Sequence, residues 1–121
     1  MLENAILVTG TGRRIGHHIA IRLYQQGYTV IAHYRTLTDE VQALQALGIE
    51  TLQADFNNSQ AILQFIDELK HRCDSFRAII HNASSFEPTA SNLSQAAAQY
   101  EQCFNVHMMA PFLINQGVKS S

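Results

Sequence analysis

The chain has little positive charge, no long apolar run and only two cysteines, and each shortage removes a class of function. Eight lysines and arginines are scattered over 121 residues against ten acids, for a net charge of -2. No basic block could follow a nucleic-acid backbone, so nucleic acid is not expected as a partner. No apolar stretch approaches the roughly 18 residues that cross a bilayer. The opening Met1-Leu2-Glu3-Asn4 lacks the basic segment and cleavage site of a signal peptide, and the expectation is a cytoplasmic protein without membrane contact. Cys73 and Cys103 have no metal-ligand spacing and read as buried thiols rather than a disulfide. His17, His18 and His71 form no ligand set with acidic or cysteine neighbours, so no metal is expected. What is present, 46% hydrophobic and 15% charged residues, is the balance of one soluble globular domain.

Periodicity divides the chain into alternating strands and helices. The apolar run at residues 5 to 9 stops at a glycine cluster, as a strand covered on both faces does. Ile15, Ile19, Leu23 and Tyr24 then recur at helical spacing up to Gly27. A second strand is predicted at 29 to 33, a helix at 38 to 47 closed by Gly48, a third strand at 50 to 54, a helix at 59 to 72 and a fourth strand at 76 to 81. Ser91 or Asn92 caps a polar-faced helix, and another helix runs from about Gln102, with a kink at Pro111. This order calls for an α/β fold, a Rossmann-type doubly wound parallel sheet with helices on both faces, of which only the amino-terminal half is readable, about four strands. Lys119-Ser120-Ser121 carries no helix stop signal, so truncation is expected.

The segment Thr9-Gly10-Thr11-Gly12-Arg13-Arg14-Ile15-Gly16 lies between a strand and a helix, where backbone amides and the helix dipole favour a pyrophosphate. The spacing is not a literal G-x-G-x-x-G, because Gly16 arrives one residue late, and an ordinary glycine turn is the alternative. An NAD site places an acid about 20 residues beyond the glycines. Here the second strand ends in His33-Tyr34-Arg35-Thr36. Arg35 can pair with a 2'-phosphate, Thr36 can hydrogen-bond it, and Arg13 offers a second cation from the glycine loop, a pattern that selects NADPH. The alternative is that Arg35 is a solvated residue after a strand.

These residues resemble the short-chain dehydrogenases/reductases, and within them the pteridine and dihydromonapterin reductases, over the whole chain. The family's loop is T-G-x-x-x-G-x-G, and Arg14 stands here where the middle glycine would be, as in the pteridine-reducing branch. The resemblance assigns Gly10, Arg14 and Gly16 to the cofactor loop, with Arg14 also near the pterin, and Arg13 and Ile15 of the same loop are expected to meet the cofactor as well. Ala54-Asp55-Phe56 resembles the adenine-contacting turn, in which Asp55 bonds the exocyclic amine; a helix cap is the alternative. His81-Asn82-Ala83-Ser84-Ser85-Phe86 resembles an altered N-N-A-G motif. It implies that Asn82, Ala83 and Ser84 meet the cofactor, Ser84 also meets the pterin, and Phe86 covers the pterin ring, unless Phe86 is a core aromatic.

Aligned on Ala110-Pro111-Phe112, His107 takes the position of the family's tetrad asparagine, and Asn105 lies off the required face. Histidine can donate and accept in a proton relay; a satisfied helix histidine is the alternative. The family's proton donor is the tyrosine of Tyr-x-x-x-Lys. None of Tyr24, Tyr28, Tyr34 and Tyr100 has a lysine four residues on, so the 121 residues alone are expected to be inactive. The implied activity is NADPH-dependent reduction of a dihydropterin, of dihydromonapterin or dihydrofolate type, to the tetrahydro form; a non-catalytic NADPH-binding module and a reductase of another carbonyl are the competing readings. Met108, Met109, Phe112, Leu113 and Ile114 exceed one buried stripe, so a homo-oligomer is expected, a tetramer by the family's habit.

Overall fold

A computed structural model describes residues 1–84 and 92–118. Four parallel strands form one sheet in the order β3-β2-β1-β4: β1 (Ala5–Val8), β2 (Val30–Tyr34), β3 (Glu50–Gln53) and β4 (Phe76–Ile80). This is the order of the first half of a doubly wound sheet. Side chains alternate between faces along a strand, so Ala5 and Leu7 enter one core and Ile6 and Val8 the other. Helices α1 (Arg14–Gln25) and α2 (Asp39–Ala46) cover the second face; α3 (Ser59–Arg72) and α5 (Ala110–Gly117) cover the first. The unbroken apolar run of β1 is therefore explained by burial on both sides.

The helix bounds follow from local chemistry. Asn58 accepts the N–H of Ala61 and starts α3, and Thr38 accepts that of Val41 and starts α2. Ile62, Phe65, Ile66 and Leu69 bury the expected stripe of α3. In α1, Ile19 and Leu23 pack against the core as expected, but the two ends of the stripe do not. Ile15 is 68% exposed and Tyr24 points outward, bonding the Leu47 carbonyl, whereas Gly16 and Ala20 are buried. The helix turns its smallest residues to the sheet, which lets it approach the glycine turn closely.

The carboxyl-terminal helices also differ. Asn92 is the cap, accepting from Gln95, and Ser91 lies outside the described residues. No new helix begins near Gln102: α4 (Leu93–Phe104) passes through a π-helical turn at Asn105–Met109 directly into α5. The Ala110 N–H donates to the Asn105 carbonyl, five residues back. Pro111 has no N–H for the carbonyl four residues behind it and its ring crowds that carbonyl; the wide turn lies immediately before it, at the place where the sequence marks an irregularity. Of the apolar cluster here, Ile114 is buried and Met109 and Leu113 pack against the core, but Met108 and Phe112 face outward. Cys73 is buried as expected, whereas Cys103 is exposed.

Candidate functional site

Parallel strands deliver all their following loops to one edge, and the predicted residues collect there. The turn after β1 is held on three sides. Thr9 is buried, and its hydroxyl oxygen accepts the N–H groups of Asn82 and Ala83, both at 3.0 Å, while the Asn82 amide donates to the Gly10 carbonyl at 3.1 Å. Gly10 has φ +70°, and a Cβ there would lie 2.7 Å from Ala83 Cα. At Gly16 a Cβ would lie 2.2 Å from the Gly10 carbonyl oxygen. Both glycines are thus required by close approach. Gly12 is not, since its nearest neighbour would be the Thr36 carbonyl at 3.7 Å.

Arg14 begins α1 with φ +52°, in the left-handed region that favours glycine. The start of α1 has no side-chain cap and no acid in its first turn, and Arg13, Arg14 and Ile15 are exposed there. Unpaired backbone donors, a positive helix end and two guanidinium groups therefore face outward together. The loop after β2 adjoins this turn through Thr38, whose hydroxyl donates to the Gly12 carbonyl at 2.7 Å. Arg35 and Thr36 are exposed in that loop. The Arg35 guanidinium leans toward β3, with Nε 3.7 Å from Asp55 Oδ1, and both side chains are about half exposed, so the pair contributes little stability. Asp55 Oδ1 also accepts the Asn57 N–H. The cap of α3 is Asn58, so Asp55 is not that helix's cap.

Sequence reasoning passed over His33. It is 2% exposed, its ring stacked on Phe56 at 4.0 Å between centroids and edge-on to Phe65 at 5.2 Å. The Gly10 N–H donates to Nδ1 at 3.0 Å, and Nε2 donates to the Ala54 carbonyl at 2.9 Å. Burial pushes its pKa down to about 4, against the opposing pull of the Ala54 bond and the Asp55 charge. The signal available was a lone imidazole inside the otherwise apolar run Val30-Ile31-Ala32.

A small cavity of about 90 Å³ lies beside this turn, lined by Thr9, Phe56, His81, Ala83 and His107 among others. His107 is exposed in the π turn, and its Nδ1 lies 3.0 Å from the Cys103 carbonyl and 3.2 Å from Cys103 Sγ. A carbonyl only accepts, so Nδ1 carries the proton and Nε2 keeps a lone pair. Asn105 donates to the Asn57 carbonyl at 2.7 Å, fastening the helix to the loop after β3. Larger hollows of about 550 and 750 Å³ flank the edge strands β3 and β4 and include neither the glycine turn nor Arg35.

The model of the short chain dehydrogenase family matches residues 4–120. The chain belongs to that family. Curated relatives are dihydromonapterin reductases, among them that of Klebsiella pneumoniae, 36% identical over 95% of this chain and 48% of the relative. That of an Enterobacter species is 35% identical over 97% and 48%. The chain thus spans about half the length of the curated relatives it matches. Among solved structures, a blue fluorescent protein from a metagenomic library, in complex with NADPH, is 26% identical with a TM-score of 0.77, covering 98% of this chain and 51% of the other. A metagenomic short-chain oxidoreductase in complex with NADP is 24% identical with a TM-score of 0.75, covering 94% and 53%, and shares the fold.

Arg14 holds a backbone conformation that glycine adopts most readily. The Asn82 amide is occupied with Gly10, and Phe56 is buried, its ring packed on His33 and Phe65. Ser84 is exposed beside Ala83. Phe86 lies outside the described residues. No group of three or more metal-ligating side chains occurs among the described residues, and none of their helices is long and apolar enough to cross a membrane.

Proposed function

We propose that the chain forms the NADPH-binding half of a reductase that converts a 7,8-dihydropterin, of the dihydromonapterin or dihydrofolate type, to its tetrahydro form. One observation carries the reading: the uncapped, acid-free start of α1, flanked by Arg13 and Arg14 and seated on two glycines that no larger residue can replace. Gly10, Arg13, Arg14, Ile15 and Gly16 hold the diphosphate. Arg35 and Thr36, with Arg13 as the second cation from the glycine loop, take the 2'-phosphate, Asp55 and Phe56 meet the adenine, and Asn82, Ala83 and Ser84 shape the nicotinamide side. When bound, NADPH supplies the hydride. Arg14, Ser84 and Phe86 orient the pterin, and His107, with its Nε2 lone pair open, takes part in the proton path.

The relatives' names support the pterin, and the neighbour crystallised with NADPH supports the cofactor. The proton donor is placed outside these 121 residues, because no tyrosine here has a lysine four positions on. A cytoplasmic location, and a homo-oligomer formed through the outward apolar residues Tyr100, Phe104, Met108 and Phe112, belong to the same proposal. The test is titration of NADPH and NADH against the complete protein and its Arg35→Ala variant. The variant is expected to lose about tenfold or more for NADPH and little for NADH. Equal losses count against the 2'-phosphate assignment. A protein that binds NADPH but does not oxidise it with dihydromonapterin is instead a binding module or a reductase of another carbonyl.

A further inference from the structure

We infer that His33 is a positioning residue of the cofactor cradle, splinting the glycine turn to the end of β3 so that the loops assigned to the diphosphate and to the adenosine move as one body. The inference rests on the NADPH reading above. A polar ring this deeply buried is tolerated only when both nitrogens are paired, and both are paired here by backbone atoms of other segments. The Gly10 N–H can meet only an unprotonated Nδ1, and the Ala54 carbonyl only a protonated Nε2. The two bonds therefore select one neutral tautomer. Phe56 and Phe65 occupy the ring's face and edge, and the Asp55 charge, which favours the protonated ring, is outweighed by burial.

The main chain of His33 also holds the turn: its carbonyl accepts both the N–H and the hydroxyl of Thr11, at 2.9 and 2.8 Å. That fastening survives any substitution at position 33. The Ala54 N–H is held by the Tyr34 carbonyl at 3.0 Å, so β3 stays paired with β2 whatever stands at position 33; the His33 side chain adds the one direct bridge from Gly10 to Ala54, the residue before Asp55. Gly10 and Asp55 stand at opposite ends of the adenosine diphosphate half in the proposed mode of binding, so the imidazole stiffens the span between them. An apolar residue fills the same volume and makes neither bond.

The experiment compares the complete wild-type protein with His33→Phe, which keeps volume and stacking but neither bond, and with His33→Asn, whose short amide can accept from Gly10 but cannot reach Ala54. Dissociation constants are measured for NADPH and for adenosine 2',5'-bisphosphate, which lacks the nicotinamide. His33→Phe is expected to weaken both by the same factor, about tenfold, the worth of one good hydrogen bond, while kcat at saturating NADPH stays near wild type. His33→Asn recovers part of the loss. Wild-type affinities in a folded His33→Phe overturn the inference and leave the NADPH reading standing. A wild type that binds neither nucleotide overturns both. Should His33→Phe fail to fold, NMR of the imidazole nitrogens in the wild type decides: a charged ring, or a proton on Nδ1 at neutral pH, overturns it.

Discussion

Replacing Arg14 by glycine and by alanine separates backbone strain from charge at one position. A side chain in the left-handed region costs about 1–2 kcal/mol, and Arg14 holds φ +52° at the start of α1. Glycine removes that cost but adds about 0.5–1 kcal/mol of unfolded-chain entropy. The net expectation for Arg14→Gly is stabilisation by about 0.5–1 kcal/mol, a rise of about 2–4 °C in melting temperature for a domain of this size. Alanine keeps the strain and gains nothing. Both variants lose the guanidinium, and with it the proposed charge-assisted contact to the cofactor phosphates of about 1.5–3 kcal/mol, so NADPH is expected to bind about 10- to 100-fold more weakly to each. The assay is thermal melting with and without saturating NADPH, together with a binding titration. Equal melting temperatures for the two variants refute the strain, and unchanged affinity in both refutes the phosphate contact.

Two further outcomes follow from the same turn. His33 titrates near pH 4 when folded and near its ordinary 6.5 when unfolded, so the unfolded chain takes up a proton that the folded one refuses. Its contribution is complete above about pH 6.5 and falls by about 1.4 kcal/mol per pH unit, to a loss of about 3 kcal/mol by about pH 4. Denaturant titrations across that window should show the slope, and His33→Phe should remove it; a slope that persists in the variant assigns the effect elsewhere. Gly16→Ala forces a Cβ to 2.2 Å from the Gly10 oxygen and 2.5 Å from the Asn82 amide, and is expected to destabilise by about 1–3 kcal/mol and abolish NADPH binding. Gly12→Ala, with 3.7 Å to its nearest neighbour, should bind as wild type, and parity between the two variants would sink the packing argument.

What could be read from the sequence was whatever local chemistry decides alone. The bounds of α3 follow from a capping Asn58 and a clean helical stripe, and the strands from short runs ended by turn residues, apolar in β1 and mostly polar in β3, each within about one residue. The glycine turn and the Arg35 loop were legible because strand-to-turn-to-helix order puts them at one edge. The α1 stripe misled because burial there was won by the smallest residues, Gly16 and Ala20, rather than the most apolar, Ile15. The π turn was invisible because a proline signals a break without saying how it will be absorbed. His33 was overlooked for a similar reason. Its partners, Gly10 and Ala54, are backbone atoms more than twenty residues away on either side, and no side-chain pattern marks them.

The turn at Asn105–Met109 gives this region an unusual genetics. It holds one residue more than an α-helix accommodates, and each α-helical residue turns the chain by about 100°. Loss of a single codon there would close the wide turn to an ordinary α-helical one and leave the twelve residues of α4 on their bearing, whereas the same loss inside α3 would swing half of that helix off the core, so this is the stretch of the chain where a length change of one residue is absorbed.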